Sequence, residues 1–69
     1  MKAQELIRRL KKYARKNDLS LVMEPGQGDH VKIWLDGQMS VLPGKRGEIP
    51  LGTFRAICKQ LGVDHKELS

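Results

Sequence analysis

In residues 3 to 14, apolar side chains fall at Ala3, Leu6, Ile7, Leu10, Tyr13 and Ala14. This is the three-and-four spacing of one helix face. Arg8, Arg9, Lys11, Lys12, Arg15 and Lys16 cover the other side. Asn17 and Asp18 should end the helix, because their side chains compete with the helical backbone for hydrogen bonds. The period then shortens to two. In LSLVME (19–24), Leu19, Leu21 and Met23 alternate with Ser20, Val22 and Glu24, as in a half-buried strand. PGQGD is a loop: Pro25 withholds a ladder donor and the glycines permit positive φ. HVKIWL (30–35) alternates again, with Val31, Ile33 and Leu35 on one face and His30, Lys32 and Trp34 on the other. Asp36-Gly37 is the two-residue signal of a type I′ hairpin. QMSVL is the returning strand, with Met39 and Val41 expected to face inward.

PGKRGEIP forms a second loop, after which the helical period resumes. Leu51, Phe54, Ile57, Cys58 and Leu61 mark one face, and Gly62 suits the C-terminal cap. In the tail VDHKELS, Asp64 and Glu67 stand at capping-box spacing, so a short helical turn is expected there. The result is a single α+β domain spanning 1–69 in α-β-β-β-α order. Its three-stranded antiparallel sheet carries two helices on one face. The expected core is Leu6, Ile7, Leu10, Leu21, Met23, Val31, Ile33, Val41, Phe54, Ile57 and Leu61. The opposite sheet face would show His30, Lys32 and Trp34 to solvent.

A chain of 69 residues buries only about 60% of the surface its unfolded form exposes. With one cysteine, Cys58, it has no internal disulfide, and no Cys/His spacing suggests zinc. Neither a metal nor a cofactor is expected. MKAQELIRRLKKYARK has no apolar run long enough for a signal-peptide core or a membrane span, so a cytoplasmic protein is expected. Thirteen Lys and Arg oppose eight Asp and Glu, for a formal charge of +5. That excess favours an anionic partner, nucleic acid foremost. Seven of the basic residues fall in the first sixteen positions, against one acid, Glu5.

His30 is the leading candidate for chemistry. It sits where a glycine-bearing loop meets a strand, so the strand fixes its backbone while the glycines leave room for a substrate. Its strand face adds a cation, Lys32, and a stacking surface, Trp34. No serine has a partner base and no acid pair stands out. An imidazole takes and gives protons near neutral pH, and RNA supplies its own nucleophile, the ribose 2′-hydroxyl. A positioned imidazole can remove that proton, with nearby Lys or Arg stabilising charge on the phosphoryl oxygens. GKRG (44–47) lacks the full P-loop pattern but suits a phosphate-contacting loop through Lys45 and Arg46. Arg55 and Lys59 on the second helix complete the candidate RNA-binding set with Lys32, Trp34, Lys45 and Arg46.

Residue by residue, the chain resembles the HicA family, the toxins of HicA–HicB toxin–antitoxin systems. ELIRRLKK looks like the family's opening helix and GDHVKIW like its Gly-Ser-His turn into the second strand. VLPGKRGEIPLGTFRAICKQLGV is similar to the Val-x-Pro, basic loop, Pro-x-Gly-Thr-x-Arg and Lys-Gln-x-Gly sequence. The resemblance implies a double-stranded RNA-binding-domain-like fold and a metal-independent mRNA interferase. It places the catalytic histidine at His30 and implies a HicB-type antitoxin covering the His30 face. Where the family commonly has Ser before the histidine, this chain has Asp29. Two other readings stand beside this one. One is a non-catalytic RNA-binding module of the same fold, with Lys32, Lys45, Arg46, Arg55 and Lys59 on phosphate. The other is a protein-interaction module docking an acidic partner through Trp34 and the basic surfaces.

Overall fold

The computed structural model describes residues 1–44 and 47–68. Helix α1 (Ala3–Lys16) is followed by strands β1 (Leu21–Pro25), β2 (Val31–Leu35) and β3 (Gln38–Leu42), helix α2 (Leu51–Leu61) and a 3₁₀ turn, His65–Glu67. This is an α+β fold with an open antiparallel sheet in the order β1-β2-β3, as the periodicities predict. Among the described residues, no helix is long and apolar enough to cross a membrane.

Both helices end where their sequences say they should. At the end of α1, Asp18 takes a positive φ of 54°. The Leu19 amide returns to the Ala14 carbonyl at 2.8 Å and that of Asp18 to Arg15, which closes the terminus in a Schellman arrangement. Gly62 does the same for α2 with φ 75°, as Val63 N–H donates to the Cys58 carbonyl. Within α1, Glu5 in the first turn pairs with Arg8 and Arg9, and Arg15 and Lys16 occupy the last turn. Each sign is thus placed favourably for the helix dipole. Burial pushes the Glu5 carboxyl up, but Arg9 and Arg8 outweigh that and hold it below its ordinary range. The loop before α2 is tied to the chain start, where Ile49 N–H donates to the Met1 carbonyl at 2.7 Å and Lys2 bridges Glu48.

The core lies between the helices and one sheet face. Leu6, Leu10, Ile33 and Leu42 have no exposed surface, and Val31, Leu35, Phe54, Ile57 and Leu61 join them. Ile49, Val63 and Leu68, from the connecting segments, close its ends. Ile7 and Leu21 are only partly buried against it. Cys58 is buried in the same cluster, and burial, aided by Asp64, pushes its thiol above the ordinary range.

Strand β3 corrects the expected core. Asp36 and Gly37 both adopt positive φ, 51° and 90°, and this two-residue turn sets Leu35 opposite Gln38. Directly paired residues share a face, so Met39 lies beside Trp34 and Val41 beside Lys32, on the outer face. Met39 is 46% and Val41 40% exposed, while Ser40 and Leu42 are buried. Ser40 is accommodated because its hydroxyl donates to Gln60 Oε1 on α2, which satisfies a polar group that is otherwise costly to bury. Met23 lies on the inner face opposite Ile33, but at the sheet edge, where it stays 36% exposed. Leu51, expected on the buried face of α2, is 63% exposed because it begins the helix, beyond the packed turns.

Candidate active site

The GQGDH segment folds into a turn that closes on itself. Gly26 N–H donates to the His30 carbonyl at 2.8 Å, and His30 N–H donates to the Gln27 carbonyl at 3.1 Å. The same Gln27 oxygen lies 3.0 Å from His30 Nδ1. A carbonyl only accepts, so Nδ1 is the protonated nitrogen and Nε2 of the neutral ring carries the free lone pair. The turn therefore orients the ring and selects its tautomer with one backbone oxygen.

Close approach favours glycine at position 26. A Cβ there would stand 3.0 Å from the His30 carbonyl oxygen and 3.2 Å from its Cβ. Gly28 instead serves the turn through its positive φ of 61°. Gly26→Ala should displace His30 by a few tenths of an ångström. With His30 as the general base the sequence leads one to expect, even a small misplacement is costly, and RNA cleavage by such a base should fall by about tenfold. Thermal unfolding should barely move. A cleavage rate equal to wild type would show that the position of His30 does not matter.

His30 lines an open hollow with Gln27, Asp29, Lys32, Val41 and Pro43. Lys32 makes no ion pair among the described residues, although Glu24 is its cross-strand neighbour. Among the described residues the hollow thus holds one imidazole, one uncommitted cation and one carboxylate. Beside it the outer face continues as an apolar row, with Val22, Trp34 and Met39 in register across the three strands. Trp34 is half-buried between its neighbours, whereas Val22 is 47% exposed.

The structure brings His30, Lys32 and Trp34 onto one face, as alternation predicts. It does not bring Arg55 and Lys59 to the hollow. Both are exposed on α2, which packs behind the sheet. Lys45 and Arg46 lie outside the described residues. Gln27, Val41 and Pro43 are additions to the site. Val41 was legible from counting outward from the Asp36-Gly37 turn, but nothing in a side-chain pattern marks the Gln27 backbone carbonyl. His65 packs edge-on against Phe54 with ring centroids 6.4 Å apart, far from this chemistry. Among the described residues no three His, Cys, Asp or Glu side chains cluster in a way that could hold a metal ion. Compared with known proteins, the chain matches no family model, no curated protein and no solved structure.

Proposed function

We propose that this chain is an endoribonuclease toxin of the HicA type that cleaves mRNA with His30 as general base. The observation that carries this reading is the Gln27 carbonyl on His30 Nδ1, which leaves Nε2 as the basic nitrogen in a hollow shared with Lys32. Nε2 takes the proton of a ribose 2′-hydroxyl. The 2′-oxygen then bonds to the adjacent phosphorus as the bond from phosphorus to the 5′-oxygen breaks. Lys32 offsets charge on the phosphoryl oxygens, and the departing oxygen takes a proton from Lys32 or from water. The products are a 2′,3′-cyclic phosphate and a 5′-hydroxyl. An antitoxin of the HicB type would cover the hollow together with the apolar row of Val22, Trp34 and Met39, which gives the exposed Val22 and Met39 and the half-buried Trp34 a partner.

This route needs the 2′-hydroxyl and no metal. Incubated with RNA in EDTA, the protein should release fragments ending in 2′,3′-cyclic phosphate, and should leave DNA of the same sequence whole. Fragments with 3′-hydroxyl ends, or activity lost to EDTA, would reject the mechanism. Asp29 favours a second reading, a non-catalytic RNA-binding module, because a carboxylate lining the hollow repels a phosphate that would react there but leaves exposed cations elsewhere, such as Arg55 and Lys59, to bind RNA. Salt-sensitive binding with RNA intact after long incubation is the outcome that selects it.

A further inference from the structure

Helix α1 carries a second charged surface, on the side of the molecule away from His30. Its buried stripe of Ala3, Leu6, Leu10 and Ala14 packs against the inner face of the sheet. The opposite stripe therefore faces outward. Glu5 offsets only Arg8 and Arg9. Lys11, Lys12, Arg15 and Lys16 are exposed and have no acidic partner among the described residues. Two of their pairs, Lys11 with Arg15 and Lys12 with Lys16, stand at i,i+4, where like charges repel. The free protein thus holds four cations in an arrangement that opposes its own stability. A polyanion would relieve that repulsion. Next to this stripe, a furrow between α1 and the 3₁₀ turn is lined by Arg9, Lys12, Tyr13 and Lys16, with Glu67 and Leu68. Arg9 is held in place there by donating to the Leu68 carbonyl at 2.7 Å.

We propose that this face of α1 binds the phosphate backbone of RNA, as a surface separate from the His30 hollow. The proposal rests on the RNA-binding part of the reading above, and not on His30 being the base. Two observations favour nucleic acid over a membrane surface. The apolar side chains of α1 are buried in the core or, for Ile7 and Tyr13, packed partly buried against it, so none stands fully exposed to enter lipid. The cations lie on a rigid rod, and Lys11 to Lys16 spans about 8 Å at the helical rise of about 1.5 Å per residue, enough to meet two or three successive phosphates. Tyr13, the only aromatic in α1, is half-buried, so the surface has no exposed ring on which bases stack. Contact is therefore with phosphate and is indifferent to base sequence.

The test compares wild type with K11Q/K12Q/R15Q/K16Q, in which glutamine keeps helix propensity and removes charge. Binding to a labelled 2′-O-methyl RNA strand, which a 2′-hydroxyl mechanism cannot cut, is followed against salt concentration. Far-UV circular dichroism and the melting temperature establish that the variant is folded. Losing about three phosphate contacts to a single strand should reduce the slope of log affinity on log salt by about two, alike for unrelated base sequences. An unchanged slope overturns the proposal. So does loss of binding to phosphatidylserine vesicles in the variant while RNA affinity stays as in wild type. Failure of the cleavage mechanism would appear separately, as ordinary RNA left whole by a protein whose salt slope still depends on α1.

Discussion

His30→Ala is expected to lower RNA cleavage by about 100- to 10,000-fold, the usual worth of a positioned general base. The imidazole is exposed, and among the described residues its one hydrogen bond is to Gln27 within its own turn. Removing the ring therefore deletes little packing. The folded protein should survive, with an unchanged circular dichroism spectrum and a melting temperature close to wild type. His30→Gln sharpens the comparison: an amide can still donate to the Gln27 carbonyl, but it cannot accept the 2′-hydroxyl proton. Gel analysis of RNA incubated with each protein is the measurement. Cleavage by the alanine protein at the wild-type rate would sink the assignment of His30, whatever happened to growth when it was expressed.

The second large effect is on stability. Ile33 occupies the middle of the central strand and has no exposed surface. Truncation to alanine removes buried methyl and methylene groups and leaves a cavity between the sheet and the helices, at a cost of about 2–5 kcal/mol. Total stabilities of folded domains are about 5–15 kcal/mol, and a domain this small falls toward the low end. Ile33→Ala should therefore populate unfolded chain at room temperature, with a much lower urea midpoint than wild type. Val41→Ala is the matched control. Its side chain lies outside and 40% exposed, so the midpoint should shift by a fraction of the Ile33 effect. Equal shifts for the two variants would contradict the strand register.

Those two positions also mark where the sequence was readable and where it was not. Alternation alone gives Val31, Ile33 and Leu35 a buried face, because β2 is flanked by strands on both sides and its pattern is uninterrupted. In β3 two signals conflict. Hydrophobicity favoured Met39 and Val41 as the inward pair, whereas the Asp36-Gly37 turn fixes Trp34 opposite Met39 and so places both residues outside. Turn geometry won, since a two-residue hairpin leaves no freedom of register. Met23 departs from the expected core for another reason: sharing a face with the core does not bury a side chain at the sheet edge. In the site, His30, Lys32 and Trp34 were legible because strand periodicity sets which residues share a face. Arg55 and Lys59 could not be placed that way, because the side of the sheet on which α2 packs is a tertiary matter. The oxygen that orients His30 belongs to a backbone, and a side-chain pattern does not report it.

The inverted face of β3 has a consequence for how the chain folds. QMSVL satisfies two pairings with β2. In one, Ser40 and Leu42 are buried and the Ser40–Gln60 hydrogen bond forms. In the other, slipped by one residue, Met39 and Val41 would enter the core and the serine would leave it. Hydrophobic burial alone prefers the slipped state, so the native hairpin is locally frustrated, held by its tight turn and by one polar contact to α2. Lengthening that turn by a residue would release the strand to the competing register. A partner seated over Met39 and Val41 would act in the opposite sense, because burying them where they stand removes the gain from slipping. On this chain, inhibition by a partner and accuracy of folding would be two effects of covering the same surface.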